Sequence, residues 1–299
     1  MSVTSTPIFP RSLKLGLEEP VLVLKAFERL PPEPWVMLDV GAHRGTSTLP
    51  FAQQGWRVHA FEPDPSNRTV FHKVLDDFPN VSVDARAVSD EDSERVTLYD
   101  SAESSGISSL LAFTESHRPA AEVDTVRLDT YLESNPVERV DLLKIDTEGF
   151  DLMVLRGFPW DVFRPPFVLC EFEDNKTRQL GYASGNLIGF LRELGYQVLI
   201  SEWHPIERYG ITHSFARLRL YNGEDPSTSS WGNILAIKEQ DAVGAIFRDA
   251  IDLIHPRTKE RPARTDLLGF KVWRWSALLR SRVSSKRGGK AQRSAGDSS

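Results

Sequence analysis

The sequence predicts an α/β domain built on a mostly parallel, doubly wound sheet with helices on both faces. Three observations predict it. Over the first 90 residues, apolar runs alternate with helical stretches as strand, helix, strand, helix, strand. The runs are short and continuously apolar, as strands buried on both faces are. Glycines and carboxylates gather at their carboxyl ends, where an open α/β sheet binds its ligands.

Taken in order, residues 1–20 hold scattered Pro and Ser and read as a loose segment. PVLVLKAFERL has helical spacing, and PPEP stops it. WVMLDVGAHRG is the first strand and its exit loop. A helix follows from Thr46 to Gln54, with Gly55 as its stop. RVHAFEP is the second strand, ending in Glu62. SNRTVFHKVLDDF is a helix that Ser66 or Asn67 can cap. NVSVDARAVSD is the third strand with its exit loop. ERVTLYD and VDTVRLDTYL frame a Ser-rich loop, SAESSGISSLLAF. VDLLKIDTEG is a fourth core strand, FDLMVLRGF a helix, FVLCEFED a fifth strand and NLIGFLREL a helix. YQVLISEW and NILAIK are closing strands, and His204–Trp231 is a long insertion between them. The expected division is a segment with a short helix (1–32), the main domain (33–242), a helical extension (243–283) and a disordered basic tail (284–299).

Composition narrows the function classes. Of the 299 residues 40% are hydrophobic and 26% charged, enough for a large core in a soluble chain. Cys170 is the sole cysteine, which excludes an internal disulfide and a multi-cysteine zinc site. No stretch reaches the roughly 20 apolar residues of a membrane span, and the N-terminus has no continuous apolar region of a signal peptide. A cytoplasmic protein is expected. The net charge of −6 hides an asymmetry. From His255 onward there are 12 Lys+Arg and 3 Asp+Glu, whereas the rest of the chain carries a balance of −15. The acidic body argues against nucleic-acid binding.

The strand ends carry the chemistry. Strand one ends in Asp39, Gly41 and Gly45, and strand two in Glu62. Strand three exits through Arg86, Ala87 and Asp90, strand four through Asp146, Thr147 and Glu148, and strand five through Glu171 and Glu173. Gly41 and Gly45 allow a tight turn and close approach to a ligand. Glu62 lies 21 residues beyond Gly41, where a carboxylate can accept hydrogen bonds from both hydroxyls of a ribose. The alternative is that Gly41 only turns the chain and Glu62 caps a helix. The loop lacks the central glycine of G-x-G-x-x-G, and there is no G-x-x-x-x-G-K-[ST], which argues against nicotinamide and triphosphate cofactors. A glycine-poor loop beside acidic Asp39 suits a nucleoside ligand without a pyrophosphate, such as S-adenosylmethionine.

The series LDVGAHRG, HAFEPDPSN, ARAVSD, SSL, VDTVRLDTYL, LLKIDTEGFDLMVLRG and LCEFED resembles the FkbM-type family of S-adenosylmethionine-dependent methyltransferases, over about residues 36 to 240. KIDTEG following FEPDP in this order is the most specific part. The resemblance implies the class I methyltransferase (Rossmann-like) fold, a seven-stranded sheet whose last strand is antiparallel. It implies O-methylation of a hydroxyl on a sugar, glycan or natural product. Carried onto this chain, it implies a cofactor loop at Asp39, Gly41, Ala42 and Gly45, a ribose contact at Glu62 and an adenine-side contact at Ala87. It sets Asp146 and Glu148 beside the reacting methyl. The insertion and the tail depart from the family core. A non-catalytic nucleoside-binding or scaffold protein on the same fold is the alternative function.

Transfer to a hydroxyl gains from a base that removes its proton. The candidates are Asp146, Glu148, Glu171, His204 and His213. Asp146 and Glu148 flank Thr147, so in an extended strand they share a face, and two close carboxylates raise one another's pKa. Alternatively, Glu148 caps the helix beginning at Phe150, or the pair binds substrate hydroxyls. No metal ligand is assigned, although Asp146, Glu148 and Glu171 form an alternative set for a hard cation. Trp203, Tyr209 and Trp231 offer flat faces for a sugar ring, or else form a packed lid. His43 faces the cofactor or the solvent. Cys170 reads as a small core residue. In the tail, DLLGFKVWRWSALLRSRV mixes basic and apolar residues around most of a helix. Segment 266–283 is therefore read either as a peripheral membrane contact or as a docking or self-association element.

Overall fold

The structure is a computed structural model that describes residues 17–206 and 213–254. The chain divides into two units, residues 1–255 and 256–299, and the described residues belong to the first. The expectations for residues 1–16, Tyr209, segment 266–283 and the tail 284–299 lie outside the described residues.

The main sheet begins with β1 (Val36–Val40), β2 (Arg57–Phe61) and β3 (Val81–Asp84). Between them run α2 (Thr48–Gln53) and α3 (Pro65–Leu75), while α1 (Glu19–Phe27) precedes β1. β1 (VMLDV) is buried at every position, as a strand covered on both faces is. The chain then forms β4 (Ala87–Val88), β5 (Ser93–Ser101), β6 (His117–Val126) and α4 (Leu128–Ser134) before returning to the sheet. β7 (Leu142–Ile145), α5 (Asp151–Arg156), β8 (Phe167–Glu173), α6 (Asp174–Thr177) and α7 (Ser184–Glu193) follow. β9 (Gln197–Trp203), β10 (Phe215–Leu220), β11 (Trp231–Ile237) and α8 (Gln240–Ile254) complete it.

The strand order is β10-β9-β11-β8-β7-β1-β2-β3. The block β8-β7-β1-β2-β3 is parallel, and β11 runs antiparallel to both β8 and β9. From β1 the chain winds first toward β2 and β3, then returns to β7 on the other side. That reversal between β1 and β7 opens a crevice at the carboxyl ends of both strands. Strand periodicity divides the core. Leu38, Val40, Leu143, Ile145, Val168 and Cys170 pack on one face. Met37, Leu142, Leu169, Leu199 and Leu235 pack on the other with α1. Cys170 is buried, as expected of a core residue.

Three expectations are corrected. The sheet has eight strands, not seven, because the region between His204 and Trp231 contributes β10 to its edge. There Phe215 and Leu218 are buried, while Arg217 and Arg219 both reach Glu202 on β9. The expected third strand breaks at Asp84, whose carboxylate accepts from the Arg86 amide (2.8 Å) and pairs with its guanidinium (2.6 Å). That turn sends β4 into a separate three-stranded sheet, β4-β6-β5. Finally, α3 is capped by Asp64, which accepts from the amides of Ser66 and Asn67, with Pro65 in its first turn. Among the described residues, no helix is long and apolar enough to cross a membrane.

Candidate active site

A cavity of about 270 Å³ lies at the β1/β7 crevice. Gly41 and Glu62 line it, as do Ala87, Asp146, Glu148 and Glu171. His43 and Thr147 line it as well, so eight of the residues singled out in the sequence meet in one space.

The backbone turn comes first. Gly41 has φ +75°, and a Cβ there would fall 1.9 Å from the carbonyl oxygen of Asp146. The absent side chain lets the ends of β1 and β7 touch through their backbones. Gly41→Ala is therefore expected to cost roughly 2–3 kcal/mol from strain and overlap together, read as a lower Tm. Gly45, at φ +76°, serves packing instead: a Cβ there would meet Leu75 at 2.5 Å and Phe71 at 3.1 Å. Ala42 is buried among the side chains that α3 presents and does not line the cavity.

Asp39 also stands behind the cavity rather than in it. It is fully buried and accepts from the hydroxyls of Ser47 (3.1 Å) and Thr48 (2.6 Å). Lys144, opposite it in register on β7, pairs with it at 3.0 Å. Lys144 also donates to the carbonyl of Gly41 (3.3 Å) and lies 3.7 Å from Asp146. Its neighbours Asp39 and Asp146 outweigh the effect of burial and raise its pKa, so it remains an ammonium.

Glu62 is 5% exposed. One oxygen accepts from the His43 amide (2.7 Å) and the other from the Asp64 amide (2.9 Å). Burial pushes its pKa up to about 7, against the lowering effect of those amides. The His43 amide is aimed by a left-handed backbone, φ +51°.

At the far end lie Asp146, Glu148 and Glu171, each offering an oxygen within 4.8 Å of the others. They do not converge through an extended strand as expected. β7 ends at Ile145, and Glu148 adopts φ +55°, so a turn brings it in. Nor does Glu148 cap α5, which has no side-chain cap. Burial pushes its pKa up to about 7, partly opposed by the Lys176 ammonium. Burial also holds Glu171 well above the usual carboxylate range. Asp151 fastens this turn to β8: it accepts from the hydroxyl of Thr147 (2.8 Å) and the amide of Glu171 (2.9 Å).

The Ser-rich loop is the roof. Ser108 donates to Asp64 (2.9 Å) and Ser109 to the Glu148 carbonyl (3.1 Å). Ser105 bonds the His43 ring (3.2 Å) through its hydroxyl and Asn67 (3.1 Å) through its carbonyl. His43 therefore points into the roof. Sequence reasoning marked this loop but gave it no role, and it gave none to Lys144, Asp151 or Lys176. His204 is exposed and does not line the cavity; its backbone bonds Ser214 and the Trp231 indole. His213 stacks edge-on against Trp231 (5.0 Å), and Trp203 lies tilted on the same indole (5.3 Å).

Residues 39–198 match the model of the FkbM methyltransferase domain. No curated protein matches the sequence. Solved structures similar to this chain include a precorrin-6y C5,15-methyltransferase from Geobacter metallireducens (13% identity, 73% of this chain and 87% of that one, TM-score 0.39). An rRNA methylase from Streptococcus thermophilus aligns at 10% identity over 74% of this chain and 95% of its own, TM-score 0.39. A SAM-dependent methyltransferase from Aquifex aeolicus aligns at 12% identity over 75% and 91%, TM-score 0.35. With the family match running from the end of β1 into β9, over more than half of its length, the chain belongs to the FkbM methyltransferase domain family.

Proposed function

We propose that this chain is an S-adenosylmethionine-dependent O-methyltransferase acting on a hydroxyl of a sugar, glycan or natural product. The observation that carries the reading is that one cavity is lined by Glu62 from the β2 side of β1 and by Asp146, Glu148 and Glu171 from the β7 and β8 side.

The Glu62 end fits the nucleoside. Each of its oxygens takes one backbone amide and keeps another lone pair. Two further donors can be accepted, the number that a ribose diol offers. Ala87, Val88 and Leu98 supply apolar surface for a base. Asp146, with its side chain 43% exposed, offers a negative charge to a cationic ligand. Bound there, S-adenosylmethionine supplies a methyl group on a sulfonium, an electrophilic carbon for an oxygen nucleophile.

The chain's own residues do the rest. Glu148 accepts the proton of the acceptor hydroxyl as its oxygen attacks. Glu171 accepts a second hydrogen bond from the acceptor and fixes its orientation, which is where positioning lowers the barrier. Family membership and the cavity support this reading over a scaffold role.

Calorimetry with S-adenosylmethionine and S-adenosylhomocysteine tests it: both bind the wild-type chain with one-to-one stoichiometry. Glu62→Ala weakens both by about 1.5–3 kcal/mol per charged hydrogen bond lost. An unchanged affinity in a folded Glu62→Ala chain removes Glu62 from the ribose. Glu62→Gln is not a neutral control, since its amide NH₂ faces a backbone N–H that the carboxylate accepts.

A further inference from the structure

Four carboxylates crowd the ends of β7 and β8: Asp146, Glu148, Glu171 and Glu173. Glu148, Glu171 and Glu173 have side chains no more than 12% exposed, and carboxylates this close and this buried need a cation. Three oxygens at such spacing are a common setting for a divalent ion with oxygen ligands. Here a cation of the chain's own is already present. Lys176 projects from the short helix α6, its side chain 3% exposed. Its ammonium donates to Glu148 and, at 3.1 Å, to Glu171, and it pairs with Glu173 at 2.8 Å. It also lies 5.4 Å from the centre of the Phe113 ring. The remaining member of the cluster, Asp146, has Lys144 at 3.7 Å from below. Both cations belong to the protein and reach the cluster from different elements.

We propose that Lys176 is the resident cation of this carboxylate cluster: its ammonium holds Glu148 and Glu171 in the arrangement a divalent ion would impose, so the site orients an acceptor hydroxyl without a bound metal. The inference rests on reading this end of the cavity as the acceptor site. Lys176 is a positioning residue, acting through the two carboxylates. An ammonium differs from a divalent ion in one useful respect. It carries a single charge, so it lowers the basicity of Glu148 less than a divalent ion would.

The test is a Mn²⁺ titration of the full chain, followed by water proton relaxation, for wild type and Lys176→Ser. Wild type shows no saturable Mn²⁺ site. Lys176→Ser removes the ammonium and leaves room, and gains one site at least ~10-fold tighter than any in wild type. Mg²⁺ competes for that site, and adding Glu171→Gln abolishes it. A purely structural lysine would leave no ion site behind. S-adenosylmethionine calorimetry on the same samples separates the two readings. Intact cofactor binding with no ion site in Lys176→Ser overturns the Lys176 assignment alone. Absent cofactor binding in wild type overturns the cofactor reading and leaves the ion result standing. Should Lys176→Ser not fold, wild type and Lys176→Arg carry the test. A saturable Mn²⁺ site in either, lost on Glu171→Gln, overturns the proposal.

Discussion

Glu148→Gln is expected to lower turnover by ~10²–10⁴-fold, the range a positioned base contributes. The affinity for S-adenosylmethionine should stay near wild type. The split follows from the geometry. Glu148 follows β7 and Glu62 follows β2, on opposite sides of β1, and Gln keeps the volume and an oxygen that can accept from Lys176. A loss in kcat without a loss in cofactor affinity marks an interaction made in the transition state. The pH profile gives the sign independently. The base must be ionised, and burial pushes the Glu148 pKa up to about 7. Wild-type kcat/KM therefore rises with pH through about 7 and falls on the acid side. Wild-type turnover in both Glu148→Gln and Asp146→Asn would mean that neither residue takes the proton.

Lys144→Met is expected to cost roughly 3–5 kcal/mol of stability, the range for removing one partner of a buried ion pair. Lys144 is 5% exposed and Asp39 fully buried. Methionine fills a similar volume but leaves the Asp39 carboxylate with only the hydroxyls of Ser47 and Thr48. At roughly 2–4 °C per kcal/mol for a domain of this size, Tm drops by about 10 °C. The Gly41 carbonyl also loses its donor, so cofactor affinity falls alongside stability. Adding Asp39→Asn removes the stranded charge and should recover part of the loss. A thermal melt of the single and double variants checks this. Equal Tm values for Lys144→Met and wild type would show that Asp39 is not dependent on its ion pair.

Much of this site was legible because its residues lie in a few continuous segments at strand ends. DVGAHRG, FEP and KIDTEG each deliver a turn or a carboxylate directly to the crevice. What the sequence hid depends on pairings between distant segments. Lys176 sits in a short helix after EFED, where it reads as an ordinary surface lysine; its partners come from β8 and from the turn after β7. Lys144 carried a signal, since a lysine inside LLKI must find a countercharge when buried. Recognising Asp39 as that countercharge required knowing that β1 lies beside β7. The same adjacency explains why Asp39 braces the loop from behind instead of lining the cavity. β10 was readable in retrospect: ARLRL alternates at strand period, but it lay within a segment taken as an insertion. The break between β3 and β4 turned on a local Asp84–Arg86 pair that an apolar run does not reveal.

Labelled methyl incorporation measures methyl transfer to a hydroxyl directly. S-adenosylmethionine carrying a labelled methyl is incubated with the full chain and a panel of sugars, glycans and polyhydroxylated natural products, and the product is analysed by mass spectrometry and NMR. Label is expected in a methyl ether on one hydroxyl, at a rate that Glu148→Gln reduces by ~10²-fold or more. Label found on carbon or nitrogen, or methyl ether formed at the wild-type rate by Glu148→Gln, would contradict it.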